Sequence, residues 1–251
     1  MLYFLRFLVL LLCFAIGYLF GSIPNGVLIS KIFYGIDPRS AGSHNPGGTN
    51  VGRVVSKKAG IITITLDILK VIVPFIVAFL LFNNLSTLKD FMLGENQEFN
   101  VLGQGNTLNE LAYYLVAFGG MIGHSYSMFL NFKGGKIVAT YCGFALSTSW
   151  TAIPFFMPIF FITLKLKKYV SLSSLTMCGS YMIFTWIVYI VFALCGNHIS
   201  GYLMLSEYGP HACIYFPILA TLGYALLVYK HKSNIIKIIN HTENNAGWNK
   251  K

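Results

Sequence analysis

The chain has 251 residues, of which 55% are hydrophobic and only 10% are charged, and its formal net charge is +10. Soluble domains carry about 25% charged residues, so this composition excludes an ordinary soluble globular protein and indicates an integral membrane protein. The positive charge could indicate nucleic-acid binding, but in a membrane protein an excess of Lys and Arg is typical of cytoplasmic loops. We favour the second explanation.

Seven apolar runs are candidates for membrane-spanning helices. Runs of about 20 residues cross a bilayer, and shorter ones cross it when they are tilted or bundled. The first run lacks the basic n-region and the small-residue cleavage site of a signal peptide, so we expect it to remain as a span. The fourth and fifth are separated by a turn-like segment, which favours a tight hairpin and leaves one long helix as the alternative. In chain order the runs cover roughly residues 2–24, 60–82, 108–128, 137–150, 152–166, 172–195 and 211–229.

The positive charges predict the orientation of these spans. If residues 25–59, 129–136 and 165–171 and the tail after residue 229 share one side, that side holds 15 of the 18 Lys and Arg residues. We expect this side to be the cytoplasm, with the C-terminus cytoplasmic and the N-terminus outside. The sequence therefore predicts an all-α integral membrane protein with seven transmembrane helices, in a single domain over residues 1–251 whose polar tail begins near residue 240.

The first polar stretch follows the first span and covers residues 37–58. It combines glycines with small hydrogen-bond donors, among them Ser43, Thr49 and Asn50, and with Arg53. These donors suit the oxygens of a phosphate, because an Arg side chain grips two phosphate oxygens at once. A flexible loop with an Asn-Pro turn and a helix cap explains some of the same residues, but it explains Arg53 less well.

Ionisable side chains also occur within the apolar runs. Asp67 and Lys70 lie three residues apart in the second run, where charges are costly, so we expect them to face the bundle interior and to pair. A structural ion pair is the favoured interpretation. His124 lies near the end of the third run, and a lone histidine there is more typical of an interfacial hydrogen bond than of a catalyst.

The second polar stretch is the glycine loop, residues 131–137, which contains Lys133, Gly134, Gly135 and Lys136. Adjacent glycines let the backbone turn and expose successive amide N–H groups, and a helix that begins after them adds the positive end of its dipole. The loop suits a phosphate, although it is not the GxxxxGK[ST] pattern of nucleotide-binding loops. For this stretch alone, an ordinary turn with cytoplasmic lysines is an equal alternative.

The third polar stretch follows the last span, over residues 231–243. His231 and Asn234 lie on one face if the last span continues as a helix, and a histidine donates to phosphate or acts as an acid or base near neutral pH. The alternative is an amphipathic segment whose Lys232 and Lys237 meet anionic lipid headgroups.

Six segments, taken together, match a known family in order and in spacing. They are GSIPNG (21–26), GSHNPGGTNVGRV (42–54), LDILK (66–70), GHSYSMFLNFKGGKIVAT (123–140), YVSLSS (169–174) and HKSNIIKIINHTE (231–243). Over most of its length the chain resembles the bacterial acyl-phosphate:glycerol-3-phosphate acyltransferase family. The resemblance implies seven helices, an outside N-terminus and an active site on the cytoplasmic face of the cell membrane.

The resemblance also implies an activity. A fatty acyl group would pass from acyl phosphate to the 1-hydroxyl of glycerol 3-phosphate, giving lysophosphatidic acid and inorganic phosphate in phospholipid biosynthesis. The implied partners are the two substrates, membrane lipids and an enzyme that forms acyl phosphate, with no nucleic acid. No metal or other cofactor is implied, and the five cysteines include no CxxC pair that would indicate a zinc site or a disulfide framework.

Residue roles follow from the resemblance, motif by motif. The first motif supplies groups for the phosphate and the carbonyl of the transferring group: Ser43, Thr49, Asn50 and Arg53. The second supplies the phosphate-binding loop and a histidine: His124, Lys133, Gly134, Gly135 and Lys136. The third supplies His231, Asn234 and Glu243. The chain departs from the family pattern at His44 and His241, where glycine is usual, at Gly48, where alanine is usual, and at Tyr126-Ser127, where Phe-Pro is usual.

An acyl phosphate is already activated, so no covalent intermediate is required. None of the six histidines has an Asp five residues later, as conventional glycerol-phosphate acyltransferases do, so the expected base is a phosphate oxygen of the substrate, with His231 as the alternative. The competing class is a small multi-span permease or channel for a phosphorylated solute. The lack of an internal repeat and the short fourth and fifth runs are evidence against it.

Overall fold

The structure is a computed structural model that describes residues 1–93, 108–149, 152–195 and 213–245. Within these ranges the regular structure is helical. The α-helices are α1 Leu2–Ser22, α2 Asn25–Tyr34, α3 Gly48–Val54, α4 Lys57–Asn84, α5 Ser86–Leu93, α6 Leu108–Ser125, α7 Val138–Ser149, α8 Ile153–Lys167, α9 Val170–Cys195, α10 Tyr215–Lys230 and α11 Lys232–Ile239. Short 3₁₀ turns cover Pro38–Ser40 and Met128–Leu130.

Each of the seven apolar runs contains one main helix. Three helical stretches are long and apolar enough to cross a membrane by length and composition, namely Leu2–Tyr34, Lys57–Asn84 and Val170–Val191. Helix α10 is a shorter apolar helix. The all-helical fold and the apolar spans agree with the expected class of protein. Residues 211–212 of the seventh run and the tail beyond residue 245 lie outside the described residues.

Helices α7 and α8 correspond to the expected hairpin. Thr148 and Ser149, at the end of α7, hydrogen-bond to the hydroxyl of Tyr181 in α9, and the Phe156 ring near the start of α8 packs against the same tyrosine. Helix α8 then runs back along α9. With 12 and 15 residues, the two helices are about 18 and 22 Å long, shorter than the roughly 30 Å hydrocarbon core of a bilayer.

Helices α1 and α6 pack closely because glycines line their contact. A Cβ at Gly17 would overlap the backbone of Val116, and a Cβ at Gly21 would overlap that of Gly120. Small residues at helix contacts let the backbones approach closely, which drives packing in membranes. Helix α4 lies against α1, α3, α6 and α7, so it connects this pair to the helices that form the cavity described below.

The segment between the first two apolar runs, residues 25–59, is largely helical. Helix α2 ends at Gly35, which adopts the left-handed conformation at a φ of 66°, and glycine takes that conformation at little cost. Helix α4 begins after Ser56, whose Oγ accepts a hydrogen bond from the Ala59 amide at 3.1 Å. Two short helices, α2 and α3, therefore form much of the connection between α1 and α4.

Candidate active site

A cavity of about 540 Å³ lies between the three polar stretches and helices α7, α8 and α9. One end is polar, and the other is formed by apolar side chains. The polar side chains at the first end include Ser43, Asn45, Thr49, Asn50, Arg53, Lys136, Ser171, His231, Asn234 and Glu243. The side chains at the second end include Leu146, Ile153, Phe156, Met157, Phe160, Met177 and Tyr181. Three segments far apart in the sequence thus meet at one cavity, which agrees with the single active site that the resemblance implies.

Asn50 organises the first polar stretch. Its buried side-chain amide donates to the backbone carbonyls of Pro38, Ala41 and Asn45 at 2.6, 3.2 and 3.0 Å. Its Oδ1 accepts from the amide of Ser43 at 2.8 Å. Because both polar atoms of this carboxamide hydrogen-bond to backbone groups of the loop, the side chain stabilises the conformation of the loop beside the cavity.

The departures from the family pattern have local explanations. His44 and His241 both have a φ of 55°, which glycine adopts more easily than other residues, and His44 compensates by donating from Nδ1 to the Arg39 carbonyl at 2.9 Å. A Cβ at Gly48 would overlap Ile64 and lie 2.7 Å from the Gly60 carbonyl, so alanine does not fit here. Ser127 has a φ of −63°, a value that proline also adopts.

The glycine loop differs from the expected cradle of free amides. The Gly134 amide donates to the Ser125 carbonyl at 3.1 Å, and the Gly135 amide donates to the His124 carbonyl at 2.8 Å. These two N–H groups are therefore occupied within the protein. Lys133 is exposed, and neither it nor the two glycines line the cavity.

The glycine loop instead presents the start of helix α7 to the cavity. Lys136, Ile137 and Val138 line the cavity at the first turn of that helix, and the amide groups of a first turn have no partners inside the helix. Ile137 has a φ of 73°, which is a strained conformation for a β-branched residue. Such strain is typical of functional loops that the surrounding structure holds in place.

Lys136 begins a chain of polar contacts across the cavity. Its Nζ donates to Asn234 Oδ1 at 2.6 Å, and Asn234 Nδ2 donates to Glu243 Oε1 at 2.8 Å. Ser171 Oγ donates to the same Glu243 oxygen at 2.9 Å. Burial lowers the pKa of Lys136, because the charged ammonium group loses water contacts. These contacts hold the positively charged Lys136 side chain in one position.

His231 is a neutral side chain with a defined tautomer. Its Nδ1 lies 2.8 Å from the Leu227 carbonyl, and a carbonyl oxygen only accepts, so Nδ1 carries the proton. In the neutral ring Nε2 is then an acceptor. Burial, with the nearby charge of Lys136, lowers the pKa of His231 to about 4 although the Leu227 carbonyl and Glu243 act in the opposite direction.

This low pKa of His231 predicts a pH-dependent stability. Between pH 4 and 6.5 the unfolded chain binds a proton at His231 that the folded chain does not, so stability falls as the pH is lowered through this window. The full effect is on the order of 3 kcal/mol. We expect His231→Gln to lose less thermal stability than the wild type between pH 7 and pH 4.5, measured by unfolding in detergent micelles. Equal losses in the two proteins would contradict the assignment.

Asp67, Lys70 and His124 form a buried cluster behind the glycine loop. Lys70 Nζ lies 2.8 Å from Asp67 Oδ1 and 3.0 Å from His124 Nδ1, and it donates to the Ile23 carbonyl at 3.0 Å. Asp67 also accepts from Asn25 at 3.0 Å. The expected ion pair is confirmed. Because Lys70 donates to Nδ1, the proton of the neutral His124 ring lies on Nε2, which faces Gly135.

The structure brings together nine of the twelve residues expected at the site. All line the cavity: Ser43, Thr49, Asn50, Arg53, His124, Lys136, His231, Asn234 and Glu243. Ser171 and Ser174 also line the cavity, and the sequence-based prediction assigned them no role, although they lie in the matched segment YVSLSS. Their signal is the spacing of three residues, which places both hydroxyls on one face of α9. Within the described residues, no group of three or more His, Cys, Asp or Glu side chains is placed to hold a metal ion.

Comparisons with known proteins identify related chains along almost the whole length. The family profile described as "Glycerol-3-phosphate acyltransferase" matches residues 11–241. A protein named glycerol-3-phosphate acyltransferase from Chlorobium limicola is 31% identical, with 97% of this chain and 99% of that protein covered. A protein of the same name from Staphylococcus carnosus is 34% identical, with 96% and 100% covered.

Solved structures share the fold. The crystal structure of PlsY (YgiH), described as an integral membrane glycerol 3-phosphate acyltransferase in its glycerol 3-phosphate form, aligns with a TM-score of 0.69 at 27% identity. The alignment covers 95% of this chain and 96% of that one. The lysophosphatidic acid form of PlsY aligns with a TM-score of 0.67 at 26% identity, over 94% of each chain.

Proposed function

The chain belongs to the glycerol-3-phosphate acyltransferase family, and from this membership we propose that the cavity is the active site for acyl transfer to glycerol 3-phosphate. The acyl donor is acyl phosphate, and the products are lysophosphatidic acid and inorganic phosphate. The alternative of a permease or channel is not favoured, because the relatives are named as acyltransferases.

One observation carries the proposal: the same cavity has a cationic, hydroxyl-rich end and an apolar end. A phosphate requires charge-assisted hydrogen bonds, and a fatty acyl chain requires apolar walls. The carbonyl carbon of an acyl phosphate lies where its phosphate meets its chain. The reaction therefore takes place where the two ends of the cavity meet, between the start of α7 and the start of α9.

Arg53 and Lys136 are the cations that we assign to the two phosphates. Arg53 lies on α3 and Lys136 in the glycine loop, and both line the polar end. The ammonium group of Lys136 is held by Asn234 at 2.6 Å. Arg53 is exposed, and we assign it to the phosphate of glycerol 3-phosphate, the substrate that arrives from solvent. Ser43 and Thr49 supply hydroxyl donors beside Arg53. Asn50 acts as a positioning residue, because its carboxamide is used by the loop.

The reaction needs alignment more than it needs a protein nucleophile. The 1-hydroxyl oxygen of glycerol 3-phosphate attacks the carbonyl carbon, the bond from that carbon to the phosphate oxygen breaks, and inorganic phosphate leaves. Holding two anionic substrates together lowers the entropic cost of the encounter, and fixed cations stabilise the departing charge.

We assign the hydroxyl proton to a phosphate oxygen of the substrate. A phosphate monoester has a second pKa of about 6, whereas the pKa of His231 is lowered to about 4 by burial. The phosphate is the stronger base near neutral pH. His231 Nε2, an acceptor in the neutral ring, is suited to hold the glycerol hydroxyl through a hydrogen bond.

This role predicts the kinetics of His231→Ala. We expect the KM for glycerol 3-phosphate to rise about tenfold, the effect of one lost hydrogen bond, and kcat to change by less. Steady-state kinetics with acyl phosphate measure both quantities. His44→Gly is the control, because His44 is exposed, does not line the cavity and has a φ of 55° that glycine adopts easily. A large loss of kcat with unchanged substrate binding would assign the base to His231 instead.

The proposal extends to the membrane arrangement and the partners. We propose seven membrane crossings, an outside N-terminus and an active site that faces the cytoplasm. The support is the excess of Lys and Arg in the segments that would then lie on the cytoplasmic side. The product enters the surrounding membrane lipids, and an enzyme that forms acyl phosphate supplies the donor.

A donor assay tests the proposed function. The purified full chain in lipid vesicles is incubated with labelled glycerol 3-phosphate and either acyl phosphate or acyl-CoA. Formation of labelled lysophosphatidic acid with acyl phosphate alone is the expected result. Uptake of label without acylation would support the permease instead, and equal use of acyl-CoA would refute the proposed donor.

A further inference from the structure

Two aromatic side chains line the apolar end of the cavity, Tyr181 in the middle of α9 and Phe156 near the start of α8. The cavity follows one face of that helix, where it contacts Ser171, Ser174, Cys178 and Tyr181 in steps of three or four residues. This is the spacing of one helix face. Tyr181 is the last α9 residue that lines the cavity, and Phe184, one turn further, does not line it.

Tyr181 is held rigidly from both sides. Its hydroxyl lies 2.8 Å from Thr148 Oγ1 and 2.9 Å from Ser149 Oγ, at the end of α7. Its ring packs edge-on against Phe156 of α8, with the centroids 5.4 Å apart. Tyr181 is buried and joins the three helices that enclose the cavity, so it forms a fixed end wall.

The wall lies at a distance from the polar end that suits an acyl chain. Ser171, at the polar end, and Tyr181 are ten residues apart, which corresponds to about 15 Å along a helix. An extended polypeptide advances up to about 3.6 Å per residue, and each residue contributes three backbone bonds. An extended acyl chain therefore advances about 1.2 Å per bond. The cavity therefore holds on the order of a dozen chain bonds before it meets the ring.

We propose that Tyr181 is the specificity-determining residue that limits the length of the acyl chain in this protein. The proposal rests on the proposed function, because it assigns the apolar end to the acyl group of the donor. A chain that fits gains contact with each methylene, and a longer chain must bend or displace a ring that two hydrogen bonds hold in place.

Substitutions at the wall test this inference. Tyr181→Leu removes the ring, and Phe156→Leu opens the wall from α8, so the two variants enlarge the cavity independently. A buried methylene contributes about fourfold to binding. For each variant we expect the kcat/KM for an acyl phosphate with two more methylenes to rise about tenfold relative to that for the shorter donor. Tyr181→Phe keeps the ring and removes only its two hydrogen bonds, so we expect it to shift the chain-length profile less than Tyr181→Leu does.

Phe184→Leu is the matched control for loosened packing. Its ring contacts both Phe156 and Tyr181 but does not line the cavity. An unchanged profile in this control supports the inference. If Phe184→Leu shifts the profile as much as Tyr181→Leu does, or if neither wall variant shifts it, the inference is refuted.

A binding measurement separates this inference from the proposed function. Monoalkyl phosphates of 12 to 18 carbons, as unreactive ligands, are added to the wild type and to Tyr181→Leu, and the rise in thermal unfolding temperature is recorded. A longer optimum in Tyr181→Leu supports the end wall even if no acyl transfer occurs, and identical optima overturn it. Failure of the wild type to acylate glycerol 3-phosphate with any chain length overturns the proposed function alone.

Discussion

Lys136→Met is expected to lower kcat/KM for glycerol 3-phosphate by about 10²–10³, the loss typical of removing one preorganised group that stabilises developing charge. Lys136 lines the polar end and is held by Asn234 at 2.6 Å, so no other lysine of the described cavity lining replaces it. The substitution keeps most of the length of the side chain and removes its charge. Steady-state kinetics with acyl phosphate as donor measure the effect.

Lys165→Met is the control for the loss of Lys136. Lys165 lies in the last turn of α8, is exposed and does not line the cavity. The control removes the same charge from the same protein, so its kinetics should stay within about twofold of the wild type, as exposed charges contribute little. Equal losses in the two variants would show a general effect of charge and would remove Lys136 from the site.

The helices were predictable from the sequence because their signal is local. An apolar run of sufficient length forms a helix in a membrane, where backbone groups have no water to bind. The paired Asp67 and Lys70 were predictable for the same reason, since an isolated charge at that depth is too costly. The meeting of the three polar stretches was predictable from charge, because all three carry lysine or arginine and segments rich in these residues are expected on one side of a membrane.

The use of individual polar groups was not predictable, because it depends on tertiary contacts. An Asn in a phosphate-like motif suggests a ligand, yet Asn50 binds four backbone groups of its own loop. Two adjacent glycines suggest free amides, yet those of Gly134 and Gly135 bind carbonyls at the end of α6. The same glycines are required for another reason, which is the lack of space beside them.

Gly134→Ala is expected to lower kcat/KM by about 10²-fold, the effect of displacing a positioned group by about 1 Å. A Cβ at this position would overlap the His124 carbonyl oxygen and lie 2.9 Å from the Ser125 carbonyl carbon. Both obstacles are backbone atoms of α6, so no side chain can rotate away. The loop must move instead, and Lys136 and the start of α7 move with it. Kinetics and the thermal unfolding temperature measure the two consequences, and we expect both to fall.

Gly52→Ala gives the same substitution where space is available. A Cβ there would lie 3.8 Å from the Gly60 Cα, an ordinary contact, and alanine favours a helix by up to about 1 kcal/mol over glycine. Because Gly52 lies in α3 beside Arg53, this control also tests whether the site tolerates a small change nearby. Wild-type activity in Gly52→Ala with loss in Gly134→Ala would assign the loss to the glycine loop. Wild-type activity in both would mean that the close approach of this loop to α6 is not what positions Lys136.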